Sequence, residues 1–294
     1  MLRWHRPLMF FAVLMAILTP VFLVLFFTDP RTLGGVPLWA KPLKFAASFA
    51  IYSFTWAWLL SLRHRASRTG WWMGTALVIA GAAEVAIIFG QAARNRHSHF
   101  NEATELDAAL WKAMGVTIGV LLLANIVAAI LLLLERQADR VMTWAVRAGL
   151  VISAIGLSLG GLMVVHVPGQ SWAEDMAGAH SVGVQDGGAG LPLFGWSTVG
   201  GDLRVPHFIG MHALQLLPLL AFALTRLVSP AVALRLTAVA TVAYAGLLGI
   251  VTWQALRGQS LVHPDALTLS ALAVLLVVTL GGAAASVTRK EPVR

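Results

Sequence analysis

The sequence has 294 residues, of which 58% are hydrophobic and 12% are charged. Soluble domains contain about 45–50% apolar and about 25% charged residues, so this composition excludes a soluble fold. The mean hydropathy of +0.79 indicates an integral membrane protein instead. The formal net charge of +8 would suggest nucleic-acid binding in a soluble chain, but in a membrane protein it first reflects topology. Without cysteine, the chain has no disulfide, thiolate metal ligand or cysteine nucleophile.

The predicted fold class is an all-α integral membrane protein, a bundle of about eight transmembrane helices. A helix needs about 20 apolar residues to cross the hydrocarbon core, because lipid offers no partners for free backbone groups. Eight segments meet this requirement, and we take them as one transmembrane domain over residues 1–294. In chain order they are Leu8–Phe27, Leu38–Leu60, Trp71–Gln91, Ala108–Leu134, Val141–Val167, His207–Leu227, Ala231–Leu256 and Val262–Ala284.

The basic residues predict the orientation of these helices. With eight spans, 13 of the 21 lysines and arginines fall on the side that holds both termini. The positive-inside rule therefore predicts that both termini lie in the cytoplasm. The lipid bilayer is the expected partner, and nucleic acid is not needed to explain the charge. The predicted cytoplasmic set is Arg3, Arg6, Arg63, Arg65, Arg68, Arg136, Arg140, Arg147, Arg226, Arg235, Arg289, Lys290 and Arg294.

Ionisable groups inside a membrane helix are costly, so each one is a candidate functional residue. Glu84 is the deepest charge of the chain, and Gln91 and Asn95 fall on the same face of its helix. We interpret Glu84 either as a structural carboxyl, neutral or paired with a neighbouring helix, or as a proton relay. In the second span, polar residues at steps of three and four predict a stripe that faces the interior. Its members are Lys41, Lys44, Ser48, Tyr52 and Thr55, and the two lysines fit interfacial snorkelling equally well.

The fifth span has a face of small residues. Such a face predicts close packing against another helix. Its members are Gly149, Ser153, Gly156 and Gly160.

Histidines are concentrated on the predicted outer side. The sixth span begins with His207 and His212, and Gln215 falls in the same sector of the helix. The preceding loop, about residues 168–206, is much longer than an ordinary connection, and we expect it to form an ordered outer cap between helices five and six. Seven of the nine histidines lie in outer segments or at outer helix ends. They are His97, His99, His166, His180, His207, His212 and His263.

Imidazoles and carboxylates without thiolates favour a transition-metal or haem site. The expected cofactor is haem b or a transition metal such as Zn, Cu or Fe. The predicted metal ligands are His99, His207 and His212, followed by His166 and His180. The predicted catalytic carboxylates are Asp202 and Glu84, and the predicted cofactor-binding residues are Arg204, Arg94 and Gln215. No nucleotide-binding or nucleophile-elbow motif occurs.

Two stretches of the chain carry a recognisable sequence pattern. The first runs from His180-Ser-Val-Gly through Asp186-Gly-Gly-Ala-Gly-Leu-Pro and Trp196-Ser to Gly201-Asp-Leu-Arg-Val-Pro-His-Phe-Ile-Gly-Met-His-Ala-Leu-Gln. The second is Ser98-His-Phe-Asn-Glu-Ala-Thr. Both stretches resemble a family of uncharacterised bacterial multi-pass membrane proteins. The resemblance covers spans three to six and implies that the loop and its histidines form one unit. It also implies that the membrane is the bacterial inner (plasma) membrane. Because the family has no assigned activity, it implies no catalytic residue.

Four functions are compatible with these features. The first is redox chemistry at an outer metal or haem site on a membrane-soluble substrate, which would make the protein an oxidoreductase. The second is a metal-dependent intramembrane hydrolase with Asp202 or Glu84 as the base. The third is a proton-coupled transporter whose path includes Lys44, Glu84, Gln91 and His212. The fourth is a structural or assembly subunit with a membrane protein as partner. The sequence leaves open whether the chain is an enzyme.

Overall fold

The computed structural model describes residues 4–63, 68–135 and 139–289. Within these residues, eight helices are long and apolar enough to cross a membrane. The prediction of an all-α, multi-pass membrane protein is confirmed at this level. Five of the residues predicted to be cytoplasmic lie outside the described residues: Arg3, Arg65, Arg136, Lys290 and Arg294.

The described chain consists of long helices with two very short antiparallel strand pairs. The helices are α1 (Arg6–Thr28), α2 (Ala40–Ser61), α3 (Arg68–Ala93), α4 (Glu105–Leu133), α5 (Arg140–Leu159), α6 (Arg204–Leu227), α7 (Pro230–Leu256) and α8 (Ala266–Thr288). The strands are β1 (Thr32–Leu33), β2 (Val36–Pro37), β3 (Ser181–Val182) and β4 (Gly201–Asp202), of which β1 pairs with β2 and β3 with β4.

Two helices differ from their predicted spans by four or more residues at one or both ends. The predicted span Val141–Val167 is longer than α5, which ends at Leu159 and is followed by a 3₁₀ turn, Gly160–Met163. Two consecutive glycines open this turn, and glycine disfavours the α-helix. The predicted span Val262–Ala284 begins four residues before α8, because Asp265 caps the first turn of that helix with its side chain.

The described residues form two compact units. Unit 1 contains α1 to α4 together with the segments Gln170–Ala179 and Gln185–Ser197. Unit 2 contains the remaining described residues, including α5 to α8. The long connection between α5 and α6 therefore contributes segments to both units. Its position on the outer side stays a prediction, as does the single transmembrane domain.

Aromatic side chains fill the space between the first three helices of unit 1. Gly81 of α3 makes room for them, because a Cβ at this position would lie 2.8 Å from the ring of Phe49 and 3.1 Å from that of Phe11. These two rings meet edge to face with their centroids 5.8 Å apart. The cluster therefore holds α1, α2 and α3 together through ring contacts.

His5 joins the start of α1 to α3. Its Nδ1 accepts the Leu8 N–H at 3.2 Å as an N-cap, and its Nε2 lies 2.9 Å from the Trp71 carbonyl oxygen. Only the tautomer with its proton on Nε2 makes both hydrogen bonds. Burial of the imidazole lowers the pKa of His5 below its ordinary value. This histidine is therefore a neutral structural group.

In unit 2, α5 and α6 approach each other backbone to backbone. A Cβ on Gly156 would lie 2.3 Å from the carbonyl carbon of Gly210, far inside van der Waals contact. The prediction that the small face of this span packs closely against another helix is thereby confirmed. The surrounding core contains Val141, Ala145, Ile152, Ala213, Leu217, Ala221, Ala233 and Leu248. Helix α8 packs against α7 and leaves most of its apolar surface exposed, as suits a helix in contact with lipid.

We expect Gly156→Ala to destabilise the protein by about 1–3 kcal/mol, because the added methyl group must push α5 and α6 apart. The measurement is the melting temperature of the purified protein in detergent. Gly161→Ala is the matched control, since a Cβ at Gly161 would meet no atom within 4 Å. Equal melting temperatures for the two variants would contradict the close helix contact.

Candidate functional site

Glu84 is a fully buried acid inside a membrane-spanning helix. It lies on α3, nine residues before the helix ends at Ala93, a distance of about 14 Å at 1.5 Å per residue. The exposed fraction of Glu84 is 0%. Its neighbours on the buried face of α3 include Leu77, Ala80 and Ile88. The carboxyl group therefore lies among apolar side chains of its own helix.

The two carboxyl oxygens of Glu84 have different surroundings. Oε1 accepts a hydrogen bond from the hydroxyl of Thr117 on α4. Oε2 is buried and has no hydrogen-bond partner in the part of the chain that the structure describes. The ammonium group of Lys41 on α2 acts electrostatically on the carboxyl. One oxygen therefore has a hydrogen-bond donor when the carboxyl is ionised, and the other has none among the described residues.

A second buried polar pair links α2 to α4. The Tyr52 hydroxyl donates to Asn125 Oδ1 at 2.8 Å, and both side chains are buried. Asn125 follows Thr117 by eight residues on α4, about 12 Å farther along the helix. Tyr52 belongs to the polar stripe that the sequence predicts to face the interior, and its burial agrees with that prediction.

Sequence reasoning missed Thr117 and Asn125 as members of this site. Asn125 carried a usable signal, because it is the one amide side chain in the apolar stretch from Thr117 to the end of α4. Thr117 carried none, since a threonine in a membrane helix commonly bonds to a carbonyl of its own helix. Only the register of α3 against α4 reveals its contact with Glu84.

Gln91 and Arg94 are engaged in a contact that fastens α3 to α4. The Gln91 side chain donates to Asp107 Oδ1 at 2.8 Å and accepts from Arg94 Nη1 at 2.5 Å. Asp107 also accepts from the Thr104 hydroxyl at 2.8 Å and lies 3.3 Å from Arg94. These bonds compensate the negative charge of the Asp107 carboxylate, whose exposed fraction is 1%. These contacts give Gln91 and Arg94 a structural role that needs no cofactor. The role of Arg94 in cofactor binding therefore stays a prediction.

The predicted ligand His99 is packed among aromatic rings in unit 1. Its ring centroid lies 5.8 Å from those of Phe45 and Trp111 and 6.0 Å from that of Phe100. Its Nδ1 lies 3.2 Å from the Ser98 hydroxyl oxygen. This packing fixes the imidazole in an aromatic cluster, and its role as a metal ligand stays a prediction.

Hydrogen bonds orient two further predicted ligands, His207 and His212, in unit 2. His207 Nδ1 lies 2.8 Å from the Gly156 carbonyl oxygen, and its ring fills the space that a side chain at Gly160 would need. His212 Nδ1 lies 3.3 Å from Gln215 Oε1. Because both partners are acceptors, each Nδ1 carries the proton. Each Nε2 then presents a lone pair, as in a metal-binding imidazole.

The other predicted site residues of unit 2 lie near the start of α6 or in the segment before it. Asp202 Oδ2 lies 2.6 Å from Arg204 Nη2, and Asp202 Oδ1 accepts from Arg204 Nε at 2.9 Å. The catalytic role of Asp202 and the cofactor-binding role of Arg204 stay predictions, because the two charges already match each other. His180 is half-buried, and its carbonyl oxygen accepts the Leu203 N–H at 2.9 Å, whereas His166 is exposed.

Within residues 4–63, 68–135 and 139–289, no three histidine, aspartate or glutamate side chains are placed to hold a metal ion together. The five predicted metal ligands therefore do not form such a group in the described chain. A hydrolytic zinc site has three protein ligands, so no described group supports the hydrolase alternative. Haem b takes one or two imidazoles as axial ligands, and the haem prediction does not depend on a three-residue group.

No protein-family model, no curated protein and no solved structure matches this chain. The functional argument therefore rests on the geometry of the described residues. Among the predicted site residues, all of which lie in the described ranges, Glu84 alone keeps a buried side-chain atom without a hydrogen-bond partner. Glu84 is for that reason the centre of the candidate site.

Asp107→Asn tests whether the contact of Gln91 and Arg94 is structural. We expect it to lower the free energy of unfolding by about 1–3 kcal/mol, because both donors lose a charged acceptor. The measurement is the melting temperature in detergent, with Glu102→Gln as the control at an exposed acid nearby. An unchanged melting temperature in Asp107→Asn would contradict the structural role and would favour cofactor binding by Arg94.

Proposed function

We propose that the protein is a proton-coupled membrane transporter in which Glu84 is the proton-binding group. One observation carries this proposal: a carboxyl group buried within α3 has one oxygen bonded to Thr117 and the other without a partner. The geometry supports this alternative better than it supports redox chemistry, the first of the functions that the sequence favours.

The physical argument is the cost of an unmatched charge in hydrocarbon. A carboxylate at membrane depth costs several kcal/mol unless it is paired, solvated or protonated. Thr117 gives one donor to Oε1 of Glu84, and no described residue gives one to Oε2. Binding of a proton removes the charge, and release of the proton restores it. A group with these two states, buried between two aqueous phases, is the element that a proton path requires.

The other residues predicted to line this path have other contacts. Lys44 Nζ donates to the Phe194 carbonyl oxygen at 2.7 Å. Gln91 is bonded in the contact that fastens α3 to α4. His212 belongs to unit 2, where its Nδ1 bonds to a glutamine. The proposal therefore places the transported proton on Glu84.

We further propose that both termini lie in the cytoplasm and that the membrane is the inner membrane of a bacterium. If the eight apolar helices of the described residues all cross the membrane, residues 4 and 289 lie on one side, and the bias of lysine and arginine favours the cytoplasm for that side. In this orientation α3 runs outward from Arg68, so Glu84 lies nearer to the outer face than to the cytoplasm.

Glu84→Gln tests the proposed function because it keeps the size of the side chain and removes its titratable group. Proteoliposomes with a pH-sensitive dye inside are exposed to a pH gradient, with the membrane potential clamped by potassium and valinomycin. We expect wild-type protein to dissipate the gradient faster than protein-free liposomes do. In Glu84→Gln, the protein-dependent rate should fall more than about tenfold, because the proton acceptor is lost.

Glu105→Gln is the matched control, since it removes an exposed acid from α4. It should keep the wild-type rate. The proposal is overturned if Glu84→Gln conducts protons as fast as wild type. It is equally overturned if wild-type proteoliposomes show no proton flux above that of protein-free liposomes.

The second candidate function is redox chemistry on a membrane-soluble substrate at a haem b or metal site. The orientation of two imidazoles favours it: His207 Nδ1 faces the backbone carbonyl oxygen of Gly156, and His212 Nδ1 faces the side-chain amide oxygen of Gln215. Each Nε2 is then directed to serve as a ligand. A bound haem or transition metal would supply electron transfer, while His207 or His212 would supply an imidazole ligand whose ring is held by its Nδ1 hydrogen bond.

Absorption spectroscopy and metal analysis of the purified protein test this second candidate. It predicts a Soret band or a stoichiometric metal in the wild type, and its loss in His207→Gln. His263→Gln serves as the control, since His263 is an exposed histidine of the same unit. Wild-type protein with neither a Soret band nor a bound metal would remove this candidate.

A further inference from the structure

We infer that Thr117 is a positioning residue whose hydroxyl serves both protonation states of Glu84, which makes the proton the ion handled at this site. The inference deepens the function proposed above and rests on it. Its basis is one hydroxyl group with two acceptors within reach. Thr117 Oγ is bonded to Glu84 Oε1 and also lies 3.0 Å from the Met114 carbonyl oxygen.

The two arrangements follow from the chemistry of a hydroxyl group, which has one proton to donate and two lone pairs that accept. When Glu84 is ionised, the Thr117 O–H donates to Oε1. When a proton from the aqueous phase binds to Oε1, the new Glu84 O–H donates to Thr117 Oγ. The Thr117 O–H then turns to the Met114 carbonyl oxygen. Both states keep a hydrogen bond between the two side chains, and neither requires a helix to move.

The surroundings of Glu84 suit a proton better than a metal cation. Hard cations such as Ca²⁺ and Mg²⁺ bind about six to eight oxygen atoms. Among the described residues, the hydrogen-bond contact of Glu84 is with the single hydroxyl of Thr117, and Oε2 has no partner. A proton needs only one carboxyl oxygen and one acceptor, and Thr117 Oγ is that acceptor.

The helices around Glu84 present different groups. Helix α2 contributes the charge of Lys41 and, farther along, the phenol of Tyr52, which is bonded to an amide of α4. Helix α4 contributes the Thr117 hydroxyl, and the ring of Phe11 on α1 packs against α3 at Gly81, three residues before Glu84. Lys41 is therefore the charged neighbour whose titration must be separated from that of Glu84. Repeating each measurement in a Lys41→Gln background makes that separation.

Infrared difference spectroscopy of the full-length protein in lipid vesicles tests the inference through the C=O stretch of a protonated carboxylic acid. A C=O band that is present in the wild type and absent in Glu84→Gln belongs to Glu84. In the wild type we expect this band to grow as the pH is lowered and to vanish when the pH is raised again. That reversible change would show that both protonation states are populated.

Thr117→Val keeps the shape of the side chain and removes the hydroxyl. We expect the Glu84 band to shift to higher wavenumber in this variant, because the protonated carboxyl loses its acceptor. In Thr117→Ser we expect the band to keep its wild-type wavenumber, because serine retains the hydroxyl group. A merely structural role of the threonine would not explain this result. If Thr117→Val does not give folded protein by size-exclusion chromatography, Thr117→Ala makes the same comparison with a smaller side chain.

Three results would overturn the inference: an unshifted band in Thr117→Val, a band in Thr117→Ser that shifts as in Thr117→Val, or no Glu84-dependent band at any pH. The infrared result is independent of the transport assay. If proteoliposomes show no proton flux but the infrared band shifts as expected, transport is refuted. The role of the Thr117 hydroxyl in both protonation states of Glu84 then remains supported. If proton flux is observed without the band shift, the role proposed for the Thr117 hydroxyl is refuted, and Glu84 remains the proton-binding group.

Discussion

Hydrocarbon offers no hydrogen-bond partner, so a polar side chain that a membrane helix buries must be matched inside the protein. Several buried polar groups of unit 1 meet this requirement in pairs that join two helices. Gln91 reaches Asp107 between α3 and α4, and Tyr52 reaches Asn125 between α2 and α4. Each pair also fixes the register of its two helices. Glu84 meets the requirement with only one of its two oxygens, and for this reason we look for function there.

Apolar length alone was sufficient to predict the eight helices, because the hydrocarbon core imposes one minimum length on every crossing. The helix ends depend on local chemistry that hydropathy does not register. Gly160 ends the α-helical part of α5, and Asp265 starts α8 with a side-chain cap. The division of the chain into two compact units was not predicted, because hydropathy carries no information on which helices pack together.

The candidate site was predictable only in part, because residue type shows that a group needs a partner without showing which partner it has. Glu84 stood out as a charge in an apolar helix, and its burial agrees with that prediction. Asp202 and Arg204 were predicted as separate functional groups, whereas the structure pairs them with each other. Their separation by two residues was the available signal for this pairing. The Thr117 contact depends on the packing of two helices and has no signature in the sequence.

Gly156 makes two contacts at once on the same turn of α5. Its Cα packs against Gly210, and its carbonyl oxygen accepts the proton of His207 Nδ1. Gly210 and His207 are three residues apart on α6, so both contacts bridge the same pair of helical turns. Separation of the two backbones at this point would therefore also lengthen the hydrogen bond that orients the His207 ring. A spectroscopic probe of the His207 ring would therefore report changes in the distance between the backbones of α5 and α6.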